Sequence, residues 1–303
     1  MKPLIPLTQN DIGDLAEQMQ ATFKLYGYEF YEEKVKNEVK RPLMRYYGGK
    51  WRIAPWVISF FPKHSTYVEL YAGAASVLLR KEKAPKEICN DLCGLMVNFF
   101  KVLADEELSK NLVDRLRLTP YSREVYYQKM GTSPIDKAAW VFINGGMGFG
   151  STTPNKVAGF VYQGKNPAGS YFGTVDGLDA AINRLRGVIF ENRPAMRVLK
   201  DNDDEGVLFY ADPPYFGVRK GEDAYYKHQM NEPDHEELAM SLLAAKGFAV
   251  LSGYENRIYD SMRGLKKFSK EAFTGNRKKS LECVWVTEKT LDALRSSDLP
   301  IFF

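Results

Sequence analysis

The sequence predicts an α/β protein whose sheet is mainly parallel and covered by helices on both faces. Three observations predict it. Tyr67 to Tyr71 is a short apolar strand that runs into the small-residue turn Ala72-Gly73-Ala74-Ala75-Ser76. A helix then begins at Val77, a second strand covers Lys86 to Cys89, and Asp91 sits just past its end. Strand, tight turn, helix, strand and acid is the order of a nucleotide-binding α/β unit. Val207 to Ala211 is another apolar strand, closed by Asp212-Pro213-Pro214-Tyr215. Finally, Asp234 to Lys246 reads as a helix, with Asp234 as N-cap, Glu237 completing a capping box and Gly247 as its stop; the strand Phe248 to Ser252 follows. Strands and helices that alternate in this way favour a parallel sheet.

The other segments follow from local pattern. Residues 1–40 form an N-terminal extension, where Asp11 or Asp14 is placed to cap a short helix with the stripe Leu15, Met19, Phe23. Residues 94–187 read as an insertion. It opens on a helical run (Leu95, Val97, Phe99, Phe100, Leu103) and turns rich in Gly, Ser, Asn and aromatic residues, with Asn144 to Gly150 expected as a flexible loop. That glycine-rich stretch is not a dinucleotide loop, because no ribose-binding acid follows a second strand after it. The sheet resumes with Val188 to Glu191 and ends with Cys283 to Thr287.

Composition narrows the classes. A chain of 303 residues, 45% hydrophobic, is long enough for one large core or one core carrying an insertion. Its formal charge of +4 is compatible with a polyanionic partner and does not require one. Cys89, Cys93 and Cys283 are too few for a disulfide framework, and without a second ligand pair they make no zinc site, so no metal is expected. No apolar run approaches the roughly 20 residues that span a bilayer, and Met1 to Asn10 lacks the apolar core of a signal peptide, so a cytoplasmic protein without a membrane partner is expected.

The sharpest local feature is the Asp-Pro-Pro-Tyr corner. An acid at the carboxyl end of a strand stands where open α/β sheets place their ligands. The two prolines fix φ and remove two N–H donors, which leaves a rigid corner with free carbonyls. The tyrosine after them supplies a face for stacking.

In its motifs and their order the chain resembles the Dam-type family of DNA adenine methyltransferases from about Arg41 to Thr287. Tyr46-Tyr47-Gly48-Gly49-Lys50 resembles the family's opening motif and Tyr67 to Ser76 its cofactor loop. Asn90-Asp91 resembles the acid after the second strand, and Asp212 to Tyr215 the catalytic loop. Asp234-His235 with Leu238, the strand ending at Ser252, and Arg277-Lys278-Lys279 before Glu282 match later landmarks. The resemblance implies a Rossmann-like S-adenosylmethionine-dependent methyltransferase sheet. Residues 41–93 and 188–303 would be its cofactor-binding and catalytic parts, and 94–187 an inserted, mainly helical and loop-rich target-recognition domain.

It further implies that Tyr46, Lys50, Gly73, Asp91 and Asp212 contact S-adenosylmethionine, with Asp91 on the ribose hydroxyls. Asp212, Pro213, Pro214 and Tyr215 would carry the chemistry. An adenine amino group is a poor nucleophile because its lone pair is delocalised. A carboxylate and a backbone carbonyl accepting its two protons push electron density back onto nitrogen. The base would have to be flipped out of double-stranded DNA, with Tyr215 to stack on it.

Arg277, Lys278, Lys279 and Asn144 are the expected DNA contacts. Arg184, Arg186, Lys156, Lys165 and His228 are weaker candidates, whereas Lys266 and Lys267 read as solvated surface and His64 and His235 as structural. The expected partners are double-stranded DNA and, in a restriction-modification setting in a bacterial or phage-infected cell, a cognate endonuclease. The alternatives are an amino-methyltransferase of cytosine or RNA, and a catalytically impaired DNA-binding module. Two departures motivate the last. Ala75 replaces a family glycine, where positive φ would disfavour it, and the strand ending Glu191-Asn192 lacks a clear acid for the cofactor's adenine.

Overall fold

The computed structural model describes residues 38–150, 153–154, 158–215, 228–273 and 279–296. In chain order the elements are α1 (Ala54–Ile58), β1 (Thr66–Glu69), α2 (Ser76–Arg80), β2 (Lys86–Asn90), α3 (Gly94–Ala104), α4 (Glu106–Leu118), α5 (Arg123–Tyr126), α6 (Pro134–Met147), α7 (Pro167–Asp176) and α8 (Leu178–Leu185). They continue with β3 (Ile189–Glu191), α9 (Ala195–Asp201), β4 (Val207–Ala211), α10 (Glu232–Ala244), β5 (Phe248–Tyr254), α11 (Arg257–Ser261), β6 (Leu265–Phe273), β7 (Lys279–Thr287) and α12 (Glu288–Ser296).

The strands form one seven-stranded sheet in the order β3-β2-β1-β4-β5-β7-β6. The first five strands are parallel, and β7 runs antiparallel to β5 and to β6. The chain moves outward from β1 through β2 to β3 and then returns to β4 on the other side of β1. That reversal opens a crevice at the carboxyl ends of β1 and β4. The α/β class and the mainly parallel sheet are as the sequence predicts.

Alternation along the buried strands builds two cores. Tyr67, Leu208, Tyr210, Val250 and Val284 face one layer, together with Phe99, Phe100 and Phe142 of α3 and α6. Val68, Ile88, Phe209, Leu251 and Trp285 face the other, against Val198 and Leu199 of α9 and Leu238 and Leu242 of α10. Successive side chains of a strand point to opposite faces, so a strand covered on both sides reads as a continuous apolar run.

Several local expectations change. The N-cap of α10 is Asn231, not Asp234. Asn231 accepts from the Asp234 N–H, and Asp234 at the third helical position closes the capping box. Pro233, which the reading from Asp234 left outside the helix, sits in its first turn, where a missing N–H is harmless. Asn144 to Met147, expected as loop, is the last turn of α6. Its glycines serve close packing, since a Cβ would stand 2.9 Å from the Met44 Cβ at Gly145 and 2.7 Å from the Tyr171 ring at Gly146. The long strand β6 was not expected, because Lys266, Lys267 and Lys270 read as a basic stretch. The helix expected around Leu15 to Phe23 lies outside the described residues. Among the described residues no helix is long and apolar enough to cross a membrane.

Candidate active site

The crevice widens into a cavity of about 510 Å³, lined from the turn after β1, the ends of β2 and β4, the segment Tyr46 to Lys50 and the start of α10. That volume suits a small organic ligand, whose sites run to roughly 300–1,000 Å³.

The turn after β1 is built on two left-handed residues, Gly73 (φ 50°) and Ala75 (φ 52°). A Cβ at Gly73 would come within 3.0 Å of the Tyr46 ring, so the glycine lets this aromatic lie against the turn. Ala75 holds the left-handed conformation that the sequence made costly, at the N-cap of α2. It is fully buried and belongs to the core, and only its neighbours Ala74 and Ser76 line the cavity.

Asp91 closes the opposite side. Its Oδ2 accepts from the Gly73 N–H at 2.8 Å and its Oδ1 from the Cys93 N–H at 2.7 Å. Burial raises the Asp91 pKa, against these two bonds. A carboxylate offers about four acceptor positions, so two remain for a ligand's hydroxyls. The acid ending β2 is thereby tied to the turn ending β1, and both line one cavity. Glu191, which ends β3, and Asn192 just after it do not line it. Asn192 donates to the Asp91 carbonyl at 2.7 Å, and Pro194, Ala195 and Met196 present themselves to the cavity instead.

The charged end gathers residues of β4, β5 and β7 around a lysine from the segment before α1. Lys50, with a side chain only 3% exposed, lies 2.8 Å from Asp212 Oδ1 and 4.0 Å from Glu282 Oε2, and donates to the Tyr215 hydroxyl. Ser252 donates to Asp212 Oδ1 at 3.1 Å and lies 2.7 Å from the Tyr210 hydroxyl. Burial works to lower the Lys50 pKa, but Asp212, Glu282 and Tyr210 raise it above the usual lysine range. Burial raises Asp212, and Lys50, Ser252 and Tyr215 oppose it. The ammonium stands 4.6 Å from the Tyr215 ring centroid, and that ring packs at 4.5 Å against Tyr254.

Glu69 and Glu282 are functional candidates that sequence reasoning passed over. Glu69 Oε2 accepts from the Tyr67 hydroxyl at 2.8 Å and the Leu78 N–H at 2.9 Å, and burial pushes its pKa up to about 8. Glu282 Oε2 is buried and has no hydrogen-bond partner among the described residues. In both cases the available signal was an acid inside an otherwise apolar strand, as in Tyr67-Val68-Glu69-Leu70 and Glu282-Cys283-Val284.

Tyr46, Lys50, Gly73, Asp91, Asp212 and Pro214 line the one cavity; Pro213 is buried beside it, and Tyr215 meets it through Lys50. Among the residues considered for DNA, Asn144 is buried in α6, with its amide donating to the Trp140 carbonyl at 2.8 Å. Arg184 is an interior group: it grips Glu87 at 2.6 and 2.9 Å and the Leu78 carbonyl at 2.6 Å. The reading of Arg184 as a DNA contact is corrected by this pairing. Arg186 and Lys165 are exposed, as is His228, which lines the cavity. Lys156, Arg277 and Lys278 lie outside the described residues, and Lys279 starts β7. Lys267 pairs with Asp260 at 2.9 Å and Lys266 with Glu288 at 3.8 Å, in keeping with solvated surface. His235 is buried, with its Nδ1 on the Tyr259 hydroxyl. The three cysteines are free, and among the described residues no group of acids, cysteines and histidines is arranged to hold a metal.

Comparison with known proteins adds three findings. No curated protein matches the chain. Among solved structures it is similar to the rRNA methyltransferase aviRa from Streptomyces viridochromogenes, at 13% identity over 89% of this chain and 99% of that one, with a TM-score of 0.41. Residues 46–145 match the family model of the D12 class N6 adenine-specific DNA methyltransferases. Over the segment that carries Lys50, the turn after β1 and Asp91, the likeness to adenine-specific DNA methyltransferases therefore holds, and with it the enzyme class.

Proposed function

We propose that the protein transfers the methyl group of S-adenosylmethionine to the exocyclic amino group of an adenine flipped out of double-stranded DNA. The observation that carries this reading is that Asp91, Gly73 and Asp212 open on one cavity at the reversal point of a parallel sheet. In this reading the acid that takes the ribose and the acid at the proline corner serve one bound ligand and the base beside it.

When bound there, S-adenosylmethionine would supply a methyl group already activated by its sulfonium, so no covalent protein nucleophile is needed. Asp91, fixed by two backbone N–H donors, is the acceptor for ribose hydroxyls, and Gly73 lets the backbone and Tyr46 close on the ligand. Asp212 accepts one amino proton of the base and the Pro213 carbonyl the other, which localises the nitrogen lone pair. Tyr215, backed by Tyr254, gives the purine a face. Lys50 and Ser252 both bind Oδ1 of Asp212, and the Tyr215 hydroxyl is a further partner of the carboxylate, so the acid that meets the base is held in place from three sides. The residues fit the cofactor in volume, in acceptor placement and in the close approach at the turn.

In the same reading residues 41–93 and 188–303 carry cofactor and chemistry, and residues 94–187 recognise the target. The segment Arg277-Lys278-Lys279 grips phosphate, a sequence-independent contact that weakens with salt.

The test is methyl transfer from labelled S-adenosylmethionine to adenine-unmethylated genomic DNA, followed by mass spectrometry of the nucleosides. N6-methyladenine is expected. Label in cytosine or only in RNA would overturn the assignment of the base. Asp212→Ala should fold and bind cofactor but lose methyl transfer by roughly a thousandfold, since its role lies at the transition state; turnover like the wild type would remove Asp212 from the chemistry.

A further inference from the structure

We infer that Glu282 is a positioning residue for the reaction proposed above: it shares the Lys50 ammonium with Asp212, so that Asp212 can turn its negative charge to the amino group of the base. The inference rests on that reading and on the geometry of the cluster.

Asp212 has conflicting obligations. It must face an amino group that gains positive charge as the methyl arrives, yet Lys50 holds it at 2.8 Å and Ser252 occupies the same oxygen. An acid fully matched by one lysine has little charge left for a third group. Glu282 resolves the conflict. It projects from β7 beside its cross-strand partner Tyr254, with Oε2 4.0 Å from the Lys50 ammonium. That oxygen is buried and accepts no hydrogen bond from any described residue. A buried acceptor left unmatched is costly and seldom kept without a use.

Two carboxylates and one ammonium leave a single surplus negative charge at this end of the cavity. As the base approaches Asp212, a small movement of the Lys50 ammonium toward Glu282 releases Asp212 while the lysine stays paired. When the methylated nitrogen gives up its proton to Asp212, Lys50 rests on Glu282. The groups facing this acid are Lys50, Asp212 and Tyr254, with Lys270 its cross-strand neighbour on β6.

The test compares Glu282→Gln with the wild type in methyl transfer to adenine-unmethylated genomic DNA, over a pH series. The glutamine keeps size and removes charge. Turnover should fall roughly 10- to 100-fold, while the KM for S-adenosylmethionine and its affinity by calorimetry change less than about threefold. Asp212 would then be the sole counter-ion of Lys50 and harder to protonate, so the acid limb of the rate profile should move to lower pH. Glu282→Asp, which keeps the charge on a shorter arm, should recover part of the rate. Wild-type turnover with an unmoved acid limb in Glu282→Gln overturns the inference, as does a loss confined to cofactor affinity. If Glu282→Gln does not fold, Glu282→Asp decides: a partial loss of turnover at unchanged cofactor affinity supports the inference, and wild-type turnover or a loss confined to cofactor affinity overturns it. Wild-type protein that yields no N6-methyladenine defeats the underlying reading instead, and so the two failures are told apart.

Discussion

Replacing Gly73 by alanine tests whether the turn after β1 is shaped for a ligand. Gly73 has φ 50°, a conformation that costs an alanine roughly 1–2 kcal/mol relative to glycine. The new methyl would also stand 3.0 Å from Cε1 of Tyr46, so the ring must move by a few tenths of an ångström. Gly73 and Tyr46 both line the cavity, and the displaced ring therefore alters the space offered to cofactor. The expected result is a stability loss of roughly 1–2 kcal/mol and a rise in Kd for S-adenosylmethionine of about tenfold, or about 1.4 kcal/mol. Thermal unfolding reads the first and calorimetry the second. Ala75 is a control within the same turn: it already holds φ 52° as a non-glycine residue, and it does not line the cavity. In Ala75→Gly, relief of backbone strain opposes the loss of a buried methyl worth about 0.8 kcal/mol, so stability should shift by less than about 1 kcal/mol and cofactor affinity not at all. A Gly73→Ala protein that binds cofactor like the wild type would refute the reasoning. So would Ala75→Gly binding markedly tighter.

Two further predictions concern Arg184 and Glu69. Arg184→Ala should cost about 3 kcal/mol in denaturant unfolding, because it removes the bidentate partner of buried Glu87 and leaves it Lys81 at 2.6 Å and the Ala84 N–H at 3.1 Å, both on Oε1; DNA affinity should be unchanged, and a protein of normal stability but weakened DNA binding would reverse that assignment. Glu69→Gln tests the acid held at about 8. Between its ordinary value of 4.5 and about 8, the folded state keeps a proton that the unfolded state has released, so rising pH favours unfolding. The wild-type melting temperature should accordingly fall from about pH 5 to about pH 8 more steeply than that of Glu69→Gln. Parallel curves would show that Glu69 is ionised in the fold.

The parallel strands and the acids that follow two of them were legible in the sequence because both depend on local pattern. A strand buried on both faces must be apolar throughout, and a ligand site at its carboxyl end must follow it directly; Val207 to Ala211 and then Asp212 obey both constraints. The glycine-rich end of α6 was not legible. Gly145 and Gly146 look the same in sequence whether they free a loop or admit Met44 and Tyr171, and only the partners, distant in the chain, decide between the two. Arg184 failed for the same reason: a basic residue near a helix end reads as surface until Glu87, from another element, reaches it. Strand β6 was hidden by its lysines, which suit an edge strand exposed to solvent as well as they suit a phosphate-binding surface.

The acids show where this limit has consequences for chemistry. Asp91 and Asp212 announce themselves because each follows a strand, at the place where open α/β sheets hold their ligands. Glu69 and Glu282 lie within strands, where alternation alone would send an acid to solvent. In a sheet covered on both faces there is no such side, and each carboxylate must be answered from the interior. Glu69 is answered by Tyr67 and the Leu78 N–H. Among the described residues Glu282 is answered by an ammonium 4.0 Å away that is already engaged by Asp212. An acid inside a doubly covered strand is thus a signal as sharp as one at a strand end, but its meaning depends on which charge the fold brings to meet it. Here that charge is Lys50, supplied from the segment before α1, and the two acids it bridges stand on β7 and just beyond β4.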